Sequence, residues 1–183
     1  MGNLIDKYLF QALDSYPYEL ETTVESLNYA LSYDAKNTTA LCLMGRLHAE
    51  ILSDYETAKD YFQQALAENI QAVEVYIHYA SVLLCNEDYK EAEKLLDYAL
   101  TIKGSDKAVL YAMQAIMYEH LTAYKKALKC LKKAKVHAYN NCYTEGIKRE
   151  ETRIKDKMPK KKKASKKKSK SSSDKKKKKN KKK

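Results

Sequence analysis

Apolar positions recur at three- and four-residue spacing through most of the chain. Ala58, Tyr61, Phe62, Ala65 and Leu66 fall at i, i+3, i+4, i+7 and i+8, which is one face of a helix. Ala92, Leu95, Leu96, Ala99 and Leu100 repeat that spacing, and Ala127, Leu128, Leu131 and Ala134 follow it again. Upstream of each run lies a second apolar stripe. It carries Leu41, Met44, Gly45 and His48, then Tyr76, Tyr79, Ala80 and Leu83, then Tyr111, Ala115 and Tyr118. Each pair of stripes predicts two helices packed as a hairpin. The small residues Gly45, Ala80 and Ala115 stand opposite the alanines of the second helix, because helices approach closely only where facing side chains are small.

The stripes are also copies of one another. Tyr55, Ala58, Ala65 and Leu66 return 34 residues later as Tyr89, Ala92, Ala99 and Leu100. Tyr124, Ala127 and Ala134 follow after a further 35. Self-similarity at this period is the signature of a stacked helical-hairpin array. The pattern resembles the tetratricopeptide repeat, a pair of antiparallel helices in about 34 residues. The resemblance implies an all-α, right-handed solenoid of helical hairpins. Residues 1–37 read as a degenerate first hairpin, 38–139 as three repeats, 140–158 as a capping helix and 159–183 as a polylysine tail. In the first hairpin Leu27, Ala30 and Leu31 fit, while Thr23 stands where the inter-helix alanine is expected. Other departures are the absence of Trp, Ile70 and Gly104 in place of the usual closing proline, and Gln114 at a usually apolar site.

Charge divides the chain further. The net charge of +11 conceals residues 1–104, with 7 basic against 17 acidic side chains, and residues 105–159, with 12 against 6. Residues 160–183 hold 16 Lys and a single acid, Asp174. That tail has no aliphatic residue larger than Ala164 and no aromatic, so it has nothing to bury against the entropy of ordering, and it is expected to be disordered. Cys42, Cys85, Cys130 and Cys142 show no framework spacing, which suits a reducing compartment. The amino terminus lacks a secretory signal. Asp6 stands where a myristoylation motif wants Ser or Thr. No apolar run approaches the roughly 20 residues of a membrane span. A soluble cytoplasmic protein is expected, with the nucleus a second possible location if the source is eukaryotic, since Pro159 to Lys163 resembles a basic import signal.

The same residues argue against catalysis. The histidines, His48, His78, His120 and His137, occupy different places within the repeats, so no two are spaced for a metal on one helix face. Cys130, His137 and Cys142 lack a C-x-x-C anchor. With four glycines in the chain there is little material for a phosphate-cradling loop. No enzyme activity, metal or cofactor is expected.

The resemblance implies a concave groove lined by the first helices of the repeats. Carried over by alignment, its lining is Thr39, Cys42, Arg46 and Glu50, then Glu74, Ile77, Ser81 and Leu84, then Val109, Ala112, Ile116 and Glu119. Arg46 is the sole cation in this set and no Asn occurs in it, so the clamp for C-terminal carboxylates found in part of the family is disfavoured. A polypeptide with hydrophobic anchors suits the mixed apolar and acidic lining. A second candidate surface is basic: Lys125, Lys126, Lys129, Lys132 and Lys133 share a helix face, continued by Lys160, Lys161, Lys162 and Lys163. The expected role is a protein-interaction adaptor whose tail tethers it non-specifically to RNA, DNA or an acidic protein. The alternative is a ribosome- or nucleic-acid-associated protein in which the basic end is the main functional element.

Overall fold

The described residues, 2–159 of a computed structural model, form nine helices in sequence. They are α1 (Gly2–Ser15), α2 (Leu20–Tyr33), α3 (Thr38–Glu50), α4 (Tyr55–Glu68), α5 (Val73–Cys85), α6 (Tyr89–Ala99), α7 (Lys107–His120), α8 (Tyr124–His137) and α9 (Asn141–Lys157). The expected disordered tail, with Lys160 to Lys163, lies outside the described residues. Consecutive helices pair as hairpins, α1 with α2 through α7 with α8, and α9 closes the array against α8. This is the all-helical solenoid that the repeat period predicts.

Local sequence starts several helices by supplying the acceptor that the first turn lacks. Asn37, Asp54, Asp106 and Asn140 accept backbone N–H bonds from Ala40, Thr57, Val109 and Tyr143 respectively. The turns within the three repeats share one device. Ser53, Glu87 and Thr122 each adopt a positive φ, between 54 and 61°, two residues before the second helix.

Packing then follows the alanines. Ala58, Ala65, Ala92, Ala127 and Ala134 are fully buried. Gly45 is required by contact: a Cβ there would stand 2.9 Å from the Phe62 ring. Phe62 in turn stacks on Tyr79 with 5.7 Å between centroids, joining two repeats. Two departures from the repeat pattern are satisfied by hydrogen bonds. Buried Thr23 pairs its hydroxyl with Ser15 at 2.8 Å and donates to the Glu19 carbonyl at 2.9 Å. Buried Gln114 donates to Asp97 on α6 at 2.7 Å, so a polar side chain serves as an inter-repeat tie.

Candidate partner-binding groove

The first helices lie side by side, α1 on α3, α3 on α5 and α5 on α7. Their shared face has two ends of different chemistry. At the α3/α5 end, Arg46 and Glu50 are four residues apart on one helix face, and Arg46 Nε donates to Glu50 Oε1 at 3.1 Å. Tyr16, in the turn between α1 and α2, donates its hydroxyl to Glu50 Oε2 at 2.6 Å, and its ring lies 4.7 Å beneath the Arg46 guanidinium. His78 Nδ1 stands 4.0 Å from Glu50 Oε1. Arg46, Glu50 and His78 border a cavity of about 370 Å³ that also includes Ser81 and Cys85.

The protonation states follow from these contacts. Burial would raise the Glu50 carboxyl, but the hydrogen bonds from Arg46 and Tyr16 outweigh it and hold it below its usual range. Burial, then the bond to Glu50, pushes the Tyr16 phenol up to about 12. Burial, aided by the Arg46 charge, lowers His78 and favours the neutral imidazole. Arg46 is therefore committed to a neighbour within the chain, and this end is polar with its charges paired.

The α7 end is different. A cavity of about 320 Å³ opens between α7, α8 and α9, walled by Ala112, Ile116, Leu131, Tyr143, Ile147 and Ile154. Gly146 on α9 adds space, since a Cβ there would meet nothing within 4 Å. Glu119, 9% exposed, sits at the rim and holds α9 in place. Arg153 binds both its oxygens, with Nη2 at 2.6 Å from Oε2, and Lys157 Nζ reaches Oε1 at 2.6 Å. Burial would raise the Glu119 carboxyl, yet the bonds from Arg153 and Lys157 prevail and lower it.

The twelve residues of the aligned lining are thus sorted by the fold. Thr39, Glu50, Glu74, Ser81 and Ile116 are exposed, and Arg46, Ile77, Val109 and Ala112 are half-buried. Cys42 and Leu84 are buried in the central core, and burial pushes the Cys42 thiol up to about 12. Glu119 is taken by α9. Alignment with the repeat did not bring in Tyr16, His78, Gly146, Ile147 or Arg153. Tyr16 lies in the degenerate first hairpin and the last three on the capping helix, where the repeat pattern gives no register. Lys125, Lys126, Lys129, Lys132 and Lys133 are all exposed along α8. Among the described residues no helix is long and apolar enough to cross a membrane.

Residues 52–116 match the family model for the tetratricopeptide repeat. A comparison with curated proteins gives no significant match. Among solved structures, PilF of Pseudomonas aeruginosa superposes with a TM-score of 0.70 at 16% identity, covering 85% of this chain and 73% of that one. MamA from Desulfovibrio magneticus RS-1 gives 0.66 at 18% identity, covering 85% and 96%. An O-GlcNAc transferase from Thermobaculum terrenum gives 0.61 at 17% identity over 72% of this chain, which spans only 26% of the transferase. At these identities the likeness is one of fold.

Proposed function

We propose that this chain, whose residues 52–116 match the tetratricopeptide-repeat family, works as a protein-interaction adaptor which binds a polypeptide along the face of α3, α5 and α7. The observation that carries the reading is the apolar cavity at the α7 end, open beside exposed Ile116 and enlarged by Gly146. Partner side chains of aliphatic or aromatic type fit it, since burying one such group is worth about 1.5–3 kcal/mol. The paired polar cluster at Arg46, Glu50 and His78 then borders the rest of the bound segment and supplies hydrogen bonds for register. The lysine-rich tail adds a non-specific electrostatic tether to a polyanion, independent of the groove.

The test is affinity capture from lysate with the full chain, with Ile116→Asp and with Arg46→Ala, at low and high salt. Groove partners are expected to survive high salt and to be lost with Ile116→Asp, because a carboxylate in the cavity mouth opposes apolar burial. Tether partners are expected to fall away with salt in every variant. A set of partners indifferent to Ile116→Asp and Arg46→Ala, and stripped entirely by salt, rejects the groove.

A further inference from the structure

Beyond the groove, the last hairpin presents charge and aromatic rings together. We propose that the outer face of α8 and the turn that follows it form a binding surface for single-stranded nucleic acid. This rests on the polyanion half of the reading above and gives it an ordered site and a ligand class. α8 contains Lys125, Lys126, Lys129, Lys132, Lys133 and Lys135 and no acid. All six are exposed, and among the described residues none has a carboxylate within 4.0 Å. The contrast with the next helix is direct: Lys148, Arg153, Lys155 and Lys157 of α9 each hold a carboxylate. The three acids of α6, which packs on α7, are also engaged, Glu91 by the Tyr79 hydroxyl at 2.6 Å, and Glu93 by the Tyr118 hydroxyl and Asp97 by Gln114, both at 2.7 Å.

The charges are arranged. Lys125, Lys129 and Lys132 follow i, i+4 and i+7, a row about 10 Å long on a helix rising ~1.5 Å per residue. Beside it, Lys126 lies 5.1 Å from the centre of the Tyr118 ring and Lys133 lies 5.0 Å from that of Tyr111. These cation–π contacts hold two of the ammonium groups over rigid rings. Rings continue where the helix ends. His137 stacks on Tyr111 at 5.8 Å, and Tyr139 stacks on Tyr143 at 6.3 Å while remaining 79% exposed. Tyr139 is therefore an open ring backed by a second one, four residues beyond Lys135.

That combination selects the ligand. A row of lysines serves any polyanion, but an exposed ring adds affinity only where a π-face is available to stack on it. Single strands offer such faces, whereas a duplex keeps its bases in the stack. An acidic polypeptide would leave the ring unused. An anionic membrane draws further strength from apolar area inserted among its headgroups, and at this end, among the described residues, only Val136 and Tyr139 are large, apolar and exposed.

The experiment measures anisotropy of a labelled oligouridylate, a duplex of equal length and phosphatidylserine vesicles against the full chain, from 50 to 200 mM salt. Circular dichroism first verifies the helicity of each variant. Lys125→Ala/Lys129→Ala/Lys132→Ala should flatten the plot of log affinity against log salt by about 2, at ~0.7 per phosphate contact released from a single strand. Tyr139→Ala should weaken single-strand binding roughly 5- to 150-fold with the salt slope unchanged, the worth of one stacked base, and leave duplex binding as it was. Strong binding in which neither variant differs from wild type assigns the activity to the tail alone and overturns the inference while sparing the tether. Preference for vesicles over the oligonucleotide overturns it in favour of a membrane. No binding to any of the three removes the tether as well.

Discussion

Replacing glycine by alanine at two helical positions should move stability in opposite directions. Gly45 lies within α3 and Gly146 within α9, so at both an alanine gains about 1 kcal/mol of helix propensity. The surroundings decide the sign. At Gly45 an added Cβ comes 2.9 Å from Cε1 and Cζ of Phe62, against about 3.5–4.0 Å for an ordinary carbon contact. Phe62 is fully buried and stacked on Tyr79, so its ring has little room to withdraw. Overpacking of this kind costs about 1–3 kcal/mol. Gly45→Ala should therefore lose about 1 kcal/mol net, and up to about 2 if the ring is rigid. At Gly146 nothing stands within 4 Å, and the propensity gain should appear almost whole. Urea unfolding of the full chain, followed by circular dichroism, measures both. Because stability in a repeat array is partly a sum of local terms, amide exchange within α9 should show the Gly146→Ala gain even where the global midpoint hardly moves. Gly45→Ala as stable as wild type or more so would refute the contact argument.

Further outcomes follow from the same packing. Ala92→Leu, at a fully buried hairpin contact, should lose about 1–3 kcal/mol in a thermal or chemical melt. Thr122→Gly should gain about 0.5 kcal/mol: a residue in left-handed conformation costs about 1–2 kcal/mol, and the greater freedom of glycine when unfolded returns up to about 1, with φ here at 56°. Glu119 has its carboxyl lowered below 4.5 in the folded chain, so its contribution is complete above that value and is lost as pH falls through the depressed one. Protection of α9 amides should accordingly drop in acid, and Glu119→Gln should show that weakened protection already at neutral pH.

The hairpins were legible because helical amphipathicity is a local property. Each alanine of the repeat, Ala58, Ala65, Ala92, Ala99, Ala127 and Ala134, is at most 1% exposed, since a side chain facing the paired helix in a close hairpin must be small. A family model covering residues 52–116 responds to the same periodicity. The lysines of α8 could likewise be placed on an outer face, as spacing and charge keep them in water. Openness of the groove was another matter. Cys42 and Leu84 share the spacing of Arg46 and Ser81, yet they enter the core, because residues three or four apart can stand on either side of the line where the neighbouring repeat begins to cover the helix. Gln114 and Thr23 break the apolar pattern; Gln114 is satisfied by a partner 17 residues away, and Thr23 by one 8 residues away together with the carbonyl of its own preceding turn. The α7 end depends on longer separations still. Glu119 is withdrawn by Arg153, 34 residues on, and the apolar cavity exists because α9 settles against α7 and α8 at that distance. A chain's period decides which face of each helix is apolar; what covers that face, and where it stays open, is set by side chains that meet only once the helices have stacked.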